Sequence, residues 1–146
     1  MAVVVINKQR RRIDRARLIR AAEAVMAAEG VGAEAELSVV IGDDRWIQSL
    51  NRKYRKKDRP TDVLAFPQDS PACGRGLLLG DVAISAETAA RQAKEVGHSL
   101  MDEIVLLLAH GILHLTGWTD RTAAQRRRMM ERAQEVLKGA SKGPAP

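Results

Sequence analysis

The sequence predicts a single domain of the α+β class, in which about five helices pack against a small four-stranded mixed sheet. The first observation behind this prediction is that short apolar or β-branched runs alternate with longer segments whose apolar residues recur at helical spacing. The second is that the chain has 146 residues, 45% of them hydrophobic, which is enough to bury one core. We expect one domain over residues 1–138 and a disordered tail over residues 139–146.

The predicted elements follow the order β-α-β-α-β-β-α-α-α. Strands are expected at residues 3–6, 37–41, 62–66 and 79–84, and helices at about residues 12–29, 44–54, 86–96, 99–116 and 122–137. The run at 37–41 is almost wholly apolar, which is typical of an interior strand. Residues 68–78 are rich in Pro, Gly and polar residues, so we expect a surface loop that carries Cys73 as an incidental free thiol.

The charge balance indicates an anionic partner. The chain has 24 Lys and Arg against 18 Asp and Glu, a net charge of +6, which favours nucleic acid over a membrane surface. The single cysteine excludes an internal disulfide and fits a reducing cytosol. Because nothing resembles a signal peptide and no apolar stretch approaches the roughly 20 residues of a membrane span, we expect a cytoplasmic protein with no membrane partner.

The densest positive cluster follows the second predicted helix. It contains Arg52, Lys53, Arg55, Lys56, Lys57 and Arg59, opposed only by Asp58. Such a cluster predicts sequence-independent, salt-sensitive binding of a nucleic acid backbone. Aromatic residues are only 3% of the chain, so base stacking contributes little, and shape and single-strandedness dominate recognition. The arginines between residues 10 and 20 are equally well interpreted as a solvated helix face or as a second RNA contact.

A pair of histidines lies on the most apolar predicted helix. Ser99 and Asp102 offer a start that resembles a capping box, and residues 104–108 are all Ile, Val or Leu, so this helix is expected to be buried and central. His110 and His114 are four residues apart, which places both imidazoles on one helix face. Two imidazoles in this arrangement can bind one metal ion, although two ligands alone bind it weakly.

A third ligand is available just beyond the helix. Gly117 is suited to a left-handed helix stop, and Asp120 follows three residues later with a carboxylate that can bind zinc. His110, His114 and Asp120 would leave one coordination position open, as in catalytic rather than structural zinc sites. The alternative is that both histidines are hydrogen-bonded core residues.

The arrangement is similar to the metal site of the metzincin proteases, in which a glycine turn also delivers the third ligand. In HExxH proteases a glutamate that serves as general base follows the first histidine. Here that position is Gly111, so peptide hydrolysis by the usual route is disfavoured.

Three blocks of sequence together resemble the bacterial YbeY family of zinc-dependent, single-strand endoribonucleases. These blocks are LNRKYRKKDRPTDVLAFP (residues 50–67), LGDVAIS (residues 79–85) and HGILHLTGWTD (residues 110–120). The resemblance covers about residues 3–137. The family's site motif normally runs HG-LHL-G-DH and ends on a third histidine ligand. Without a gap, Asp120 occupies that ligand position. If Thr119 is instead an insertion, Arg121 occupies it and the site is broken.

The resemblance implies an enzyme of ribosomal RNA maturation, at the 3′ end of 16S rRNA, and of ribosome quality control. It implies one Zn²⁺ per chain and no small-molecule cofactor, with rRNA, the small ribosomal subunit and its assembly factors as partners. It also makes Arg55 the residue expected to act on substrate phosphate, which a permanently charged guanidinium can bind bidentately. The general base is not evident: Asp62 and Asp81 are candidates that equally well only buttress strands or histidine ligands. The alternative function is a ribosome-associated RNA-binding protein with a weakened or non-catalytic metal site.

Overall fold

The computed structural model describes residues 1–68 and 78–141. Its elements, in chain order, are β1 (Ala2–Asn7), α1 (Arg15–Ala28), β2 (Glu36–Gly42), α2 (Asp44–Arg55), β3 (Val63–Pro67), β4 (Leu78–Ser85), α3 (Ala86–Val96), α4 (Leu100–Leu115) and α5 (Ala123–Ser141). Five helices and one four-stranded sheet confirm the predicted class and the predicted order of elements.

The sheet is mixed, as predicted. Its strands lie in the order β1-β2-β4-β3, with β1, β2 and β4 parallel and β3 antiparallel to β4. In the interior of the sheet, Val39 of β2 pairs with Val5 of β1 and with Val82 of β4, and Val82 pairs in turn with Ala65. The apolar run of β2 therefore lies inside the sheet, where both of its edges are hydrogen-bonded.

Helix α4 is the central element of the core. It contacts α1, α3 and α5 as well as strands β3 and β4, and Ile104, Leu108 and Ile112 are fully buried. At Gly111 the helix comes so close to the sheet that a Cβ atom would lie 2.7 Å from the Val82 Cγ1 atom. Glycine at this position therefore permits the close packing of α4 on β4.

The ends of α4 are both fixed by local chemistry. At its start, the Ser99 hydroxyl accepts from the Asp102 backbone N–H at 3.0 Å, and the Asp102 carboxylate accepts from the Ser99 N–H, which is the predicted capping box. The same carboxylate accepts from Arg17 of α1 at 2.6 Å. At the other end Gly117 has φ = 108°, a left-handed conformation that favours glycine and turns the chain away from the helix axis.

Most boundaries lie within one residue of the predictions, and two differ by three residues or more. Helix α1 begins at Arg15 rather than at residue 12, with Asp14 as its N-cap, because the side chains of Asn7 and Gln9 bond the backbone at Gln9 and Arg11 into a turn. Helix α5 continues to Ser141, so residues 139–141, expected to begin a disordered tail, are helical. The predicted loop at 68–78 with Cys73 and the rest of the predicted tail lie almost wholly outside the described residues.

Among the described residues no single helix is both long and apolar enough to cross a membrane. Helices α3 and α4 satisfy the length and composition criteria only as a pair bent by 112°.

Candidate functional site

The two histidines lie on the same face of α4, one turn apart, as predicted. The Nε2 atom of His110 is buried and has no hydrogen-bond partner within the described residues. Burial lowers the pKa of His110, and the neighbouring His114 lowers it further, against the opposing charges of Asp62, Glu103 and Asp120. A buried imidazole kept neutral in this way is the form that can donate a ring nitrogen to a metal ion.

Asp120 is brought back to the end of α4 by the turn at Gly117. Its Oδ2 atom lies 3.4 Å from the Nε2 atom of His114. The loop is also bonded to α5, because the Arg126 side chain donates to the Asp120 backbone carbonyl at 3.1 Å. The Gln125 side chain accepts from the backbone N–H of Arg121 at 2.9 Å, which fixes the start of α5 against the loop. Asp120, which occupies the third ligand position in the ungapped alignment, therefore lies within contact distance of His114.

The donor chemistry at this site fits a zinc ion. In a tetrahedral site with bonds of about 2.0–2.1 Å, two donor atoms are about 3.3–3.4 Å apart, which matches the separation of His114 and Asp120. The unpartnered Nε2 of His110 is a third donor on the same helix face. However, residues 1–68 and 78–141 contain no group of three or more His, Cys, Asp or Glu arranged to hold a metal ion. One donor pair, His114 with Asp120, is thus in contact, and within the described residues no third donor is grouped with it.

A cavity of about 630 Å³ opens beside the His114–Asp120 pair. One wall is formed by α2, β3 and the segment between them, and the other by the end of α4 and the loop that follows it. Its charged and titratable lining consists of Arg55, Lys57, Arg59, His114, Asp120 and Arg121. The structure therefore brings the predicted catalytic arginine together with two of the three predicted metal ligands.

Arg55 is the last residue of α2 and is held in place from several directions. It donates to the Ala65 carbonyl at 2.6 Å, and its guanidinium lies 5.5 Å from the centre of the Phe66 ring. Phe66 in turn makes an edge-to-face contact with Tyr54 at 5.3 Å. Lys56 follows in a left-handed conformation, φ = 57°, which ends the helix directly after Arg55. In the described part of the chain no carboxylate pairs with Arg55, so its charge is available to a ligand.

The five predicted RNA-binding residues divide into two groups. Lys57 and Arg59 line the cavity. Arg52, Lys53 and Lys56 are exposed on α2 and at its end but do not line it. Arg52 lies 3.8 Å from Asp58, and Lys53 lies 5.1 Å from the centre of the Tyr54 ring. These three cations therefore flank the cavity from the outside.

Asn51 is a site residue that sequence reasoning missed. It is buried, and its side-chain amide N–H donates to the Arg59 backbone carbonyl at 2.9 Å. The backbone carbonyl of Asn51 accepts from the Lys57 backbone N–H at 3.2 Å. Asn51 thus fixes the backbone that carries two of the cavity cations. The available signal was a polar residue one helical turn after the buried Ile47, on the inward face of α2.

A second missed feature is a network that anchors the loop carrying Asp120. The indole N–H of Trp118 donates to Glu29, whose carboxylate also accepts from Arg132 at 3.0 and 2.9 Å. The Glu29 side chain is only 9% exposed. Because these residues come from the end of α1, the site loop and α5, no local pattern in the sequence could have predicted their contact.

The carboxylates considered as general bases lie outside the cavity lining. Asp62 accepts from the Val63 N–H at 2.7 Å and from Gln92 at 3.2 Å, and Asp81 accepts from Gln68 at 3.4 Å. These contacts stabilise the neighbouring strands. His98 also lies outside the cavity lining, 2.7 Å from the buried Glu103.

Comparison with known proteins gives the family. Residues 4–141 match the family model described as endoribonuclease YbeY. The chain belongs to the YbeY family. Relatives carrying that name include one from Aquifex aeolicus, 41% identical over 140 residues, which is 95% of this chain and 92% of the relative. The relative from Geobacter metallireducens is 43% identical over 142 residues, 94% of each chain, and that from Pelotomaculum thermopropionicum is 48% identical over 124 residues, 82% of each.

A solved structure has the same fold as this YbeY-family chain. The solution structure of TM1509 from Thermotoga maritima superposes with a TM-score of 0.62 at 21% identity, covering 97% of this chain and 93% of that one. The three blocks of sequence that resembled the family thus led to the right family and the right fold.

Proposed function

We propose that the protein is a metal-dependent, single-strand-specific endoribonuclease that acts in ribosomal RNA maturation, at the 3′ end of 16S rRNA, and in ribosome quality control. The observation that carries the proposal is the cavity in which Arg55 faces the His114–Asp120 pair. Its support from relatives is that proteins 41–48% identical are named endoribonuclease YbeY.

The proposed metal is one Zn²⁺ per chain, held by His110, His114 and Asp120. Bound there, zinc would supply an activated water or polarise a phosphoryl oxygen. The histidines suit this role because burial favours the neutral form of His110, and because the Asp120 carboxylate is already in contact with His114. Arg126, through its bond to the Asp120 carbonyl, keeps the carboxylate at the end of α4.

Arg55 is proposed to bind the scissile phosphate and to stabilise the negative charge that develops on it. One guanidinium N–H group donates to the Ala65 carbonyl, and the remaining N–H groups are left to bind phosphate oxygens. Because that bond and the Phe66 ring fix the side chain before substrate arrives, little reorganisation is needed during the reaction. Lys57 and Arg59 hold adjacent phosphates, and Arg52, Lys53 and Lys56 attract the strand from outside the cavity.

The physiological setting is proposed from the family. We infer that the partners are rRNA, the small ribosomal subunit and its assembly factors, and that the protein acts in the cytoplasm. The net charge of +6 is consistent with an rRNA substrate.

The test is cleavage of a single-stranded RNA and of the matching duplex by wild type, Arg55→Glu and His114→Ala. We expect wild type to cut the single strand only. Arg55→Glu should lose about 10²-fold or more in rate with unchanged zinc content, since Arg55 is not a ligand. His114→Ala should lose both zinc and cleavage. Metal-independent cutting, or cutting by His114→Ala at the wild-type rate, would refute the proposal.

A second candidate function is an RNA-binding protein with a non-catalytic site. It is favoured by Asp120 at the family's histidine position and by the lack of a preassembled three-ligand group in residues 1–68 and 78–141. Zinc content of wild type, Asp120→Ala and Asp120→His separates the two. Zinc that is present in wild type, lost with alanine and restored with histidine supports the enzyme. Zinc in the histidine variant alone supports the second candidate.

A further inference from the structure

The start of α5 lies directly beside the cavity. The backbone N–H of Gln125 bonds to the Thr122 hydroxyl at 3.1 Å, and the Gln125 side chain accepts from the Arg121 and Thr122 N–H groups, so the first turn is capped on both sides. Arg126, also in the first turn, donates to the Asp120 carbonyl. These bonds tie the first turn of α5 to the loop that contains Asp120 and Arg121.

This loop and the first two turns of α5 carry Arg121, Arg127 and Arg128 in addition to the hydrogen-bonded Arg126. Arg121 lines the cavity on the side of His114 and Asp120, whereas the other lining cations come from α2 and the segment that follows it. Arg127 and Arg128 are exposed on α5. Across residues 1–68 and 78–141, no carboxylate forms an ion pair with Arg121, Arg127 or Arg128.

Helix stability does not account for these arginines. The first turn of α5 contains no acidic residue. Arg121 lies just before the first turn of α5, near the positive end of the helix dipole, where a cation is unfavourable, whereas Arg127 and Arg128 lie beyond that turn. Adjacent like charges also repel one another. These arginines, one lining the cavity and two exposed on the helix that follows, form no ion pair with a carboxylate of the described residues and are suited to bind an anionic ligand that spans several charges.

We propose that Arg121, Arg127 and Arg128 form a second phosphate-binding surface for the RNA strand. This inference rests on the proposed function, in which the cavity holds the scissile phosphate against Arg55. A strand that enters over α2 and passes through the cavity has to leave across the opposite wall. There Arg121 binds the first phosphate beyond the cleavage site, and Arg127 and Arg128 bind those that follow.

The experiment measures binding of a fluorescent single-stranded RNA of about 20 nucleotides by anisotropy, from about 0.05 to 0.3 M salt, with strand integrity checked on a gel. The test variant is Arg121→Gln/Arg127→Gln/Arg128→Gln. The matched control, Arg45→Gln/Lys94→Gln/Lys138→Gln, removes the same charge from three exposed positions that do not line the cavity. A third variant, Arg121→Lys/Arg127→Lys/Arg128→Lys, keeps the charge.

The expected result is a change in the salt dependence of binding. Each lost contact should reduce the slope of log K against log salt by about 0.7 and weaken binding roughly fivefold at about 0.1 M salt. The test variant should therefore lose about two units of slope, while the control and the lysine variant stay near wild type. A test variant with the slope of the control would overturn the proposal.

The outcomes also separate this inference from the proposed function. Wild type that binds RNA with the expected slope but never cuts it would refute the enzyme and leave the surface standing. Wild type that cuts RNA, with a test variant indistinguishable from the control, would refute the surface alone.

Discussion

Gly111 illustrates how one residue links the packing of the core to the chemistry of the site. It lies between the two histidines of α4, and the helix there approaches β4 so closely that a Cβ atom would come within 2.7 and 3.0 Å of the Val82 methyl groups. A glutamate at this position, as in the HExxH proteases, would have to enter the sheet. The packing that makes α4 central therefore removes the position from which a protease base would act.

Gly111→Ala tests this close approach. Overpacking costs about 1–3 kcal/mol, against a gain of about 1 kcal/mol from the helix propensity of alanine. We expect a net loss of about 1 kcal/mol in the free energy of unfolding, measured with urea. The Val82→Ala background lacks the two Val82 methyl groups that a Cβ atom at position 111 would meet. Gly111→Ala should therefore lower the free energy of unfolding less in this background than in wild type. A single variant more stable than wild type would contradict the account.

At the scale of elements, α4 is held to α1 through its N-terminal cap. The Arg17 guanidinium holds the pKa of Asp102 below its ordinary value of 3.8, and the bonds with Ser99 lower it further against the effect of burial. A carboxyl group whose pKa is lowered in the folded state stabilises the fold above its unfolded pKa. That contribution is lost as the pH falls through the lower, folded pKa.

Asp102→Asn should therefore destabilise the protein in a pH-dependent way. We expect a loss of about 0.5–1 kcal/mol at pH 7, because both partners of the ion pair are partly exposed. The difference between wild type and variant should persist down to about pH 4 and shrink below pH 3.8. Urea denaturation at several pH values measures it, with Asp58→Asn as an exposed control. A difference that does not change with pH would mean that charge is not the cause.

The network of Trp118, Glu29 and Arg132 ties three elements to the site loop. Trp118→Phe keeps an aromatic ring but removes the indole N–H that donates to a largely buried carboxylate, so we expect a loss of about 1–2 kcal/mol in the stability of the metal-free protein. Because Asp120 lies two residues further on, zinc affinity should fall as well. Arg17→Gln, which breaks a remote contact, is the control. If both variants lose zinc affinity equally, the network has no specific role at the loop.

At the scale of the whole molecule, most of the fold followed from local patterns. Apolar periodicity, the Ser99–Asp102 cap and the Gly117 stop are signals within a few residues, and they placed α4 and its two ends correctly. The start of α1 was misplaced because side chains at Asn7 and Gln9 compete for the backbone there. The end of α5 was misplaced because residues 139–146 were assigned as a disordered tail, although a helix tolerates Gly139 at a cost of about 1 kcal/mol.

The site was only partly predictable for a related reason. His110, His114 and Asp120 lie within eleven consecutive residues, so their spacing alone suggested a shared site. The contacts that position them join distant parts of the chain, such as Trp118 with Glu29 or Gly111 with Val82. Contacts of this kind depend on tertiary packing and leave no periodic pattern in the sequence.

A bound metal should stabilise the entire domain, because its proposed ligands end the helix on which the core is built. A ligand that binds only the folded state adds about 2.7 kcal/mol at 100 times its Kd, which for about 150 residues corresponds to a rise in Tm of roughly 5–10 °C. Zinc added to metal-free protein should raise the Tm of wild type and of Lys94→Gln by this amount, and should leave His114→Ala unchanged. An equal rise in His114→Ala would mean that zinc binds elsewhere, and no rise in wild type would mean that the site does not hold it.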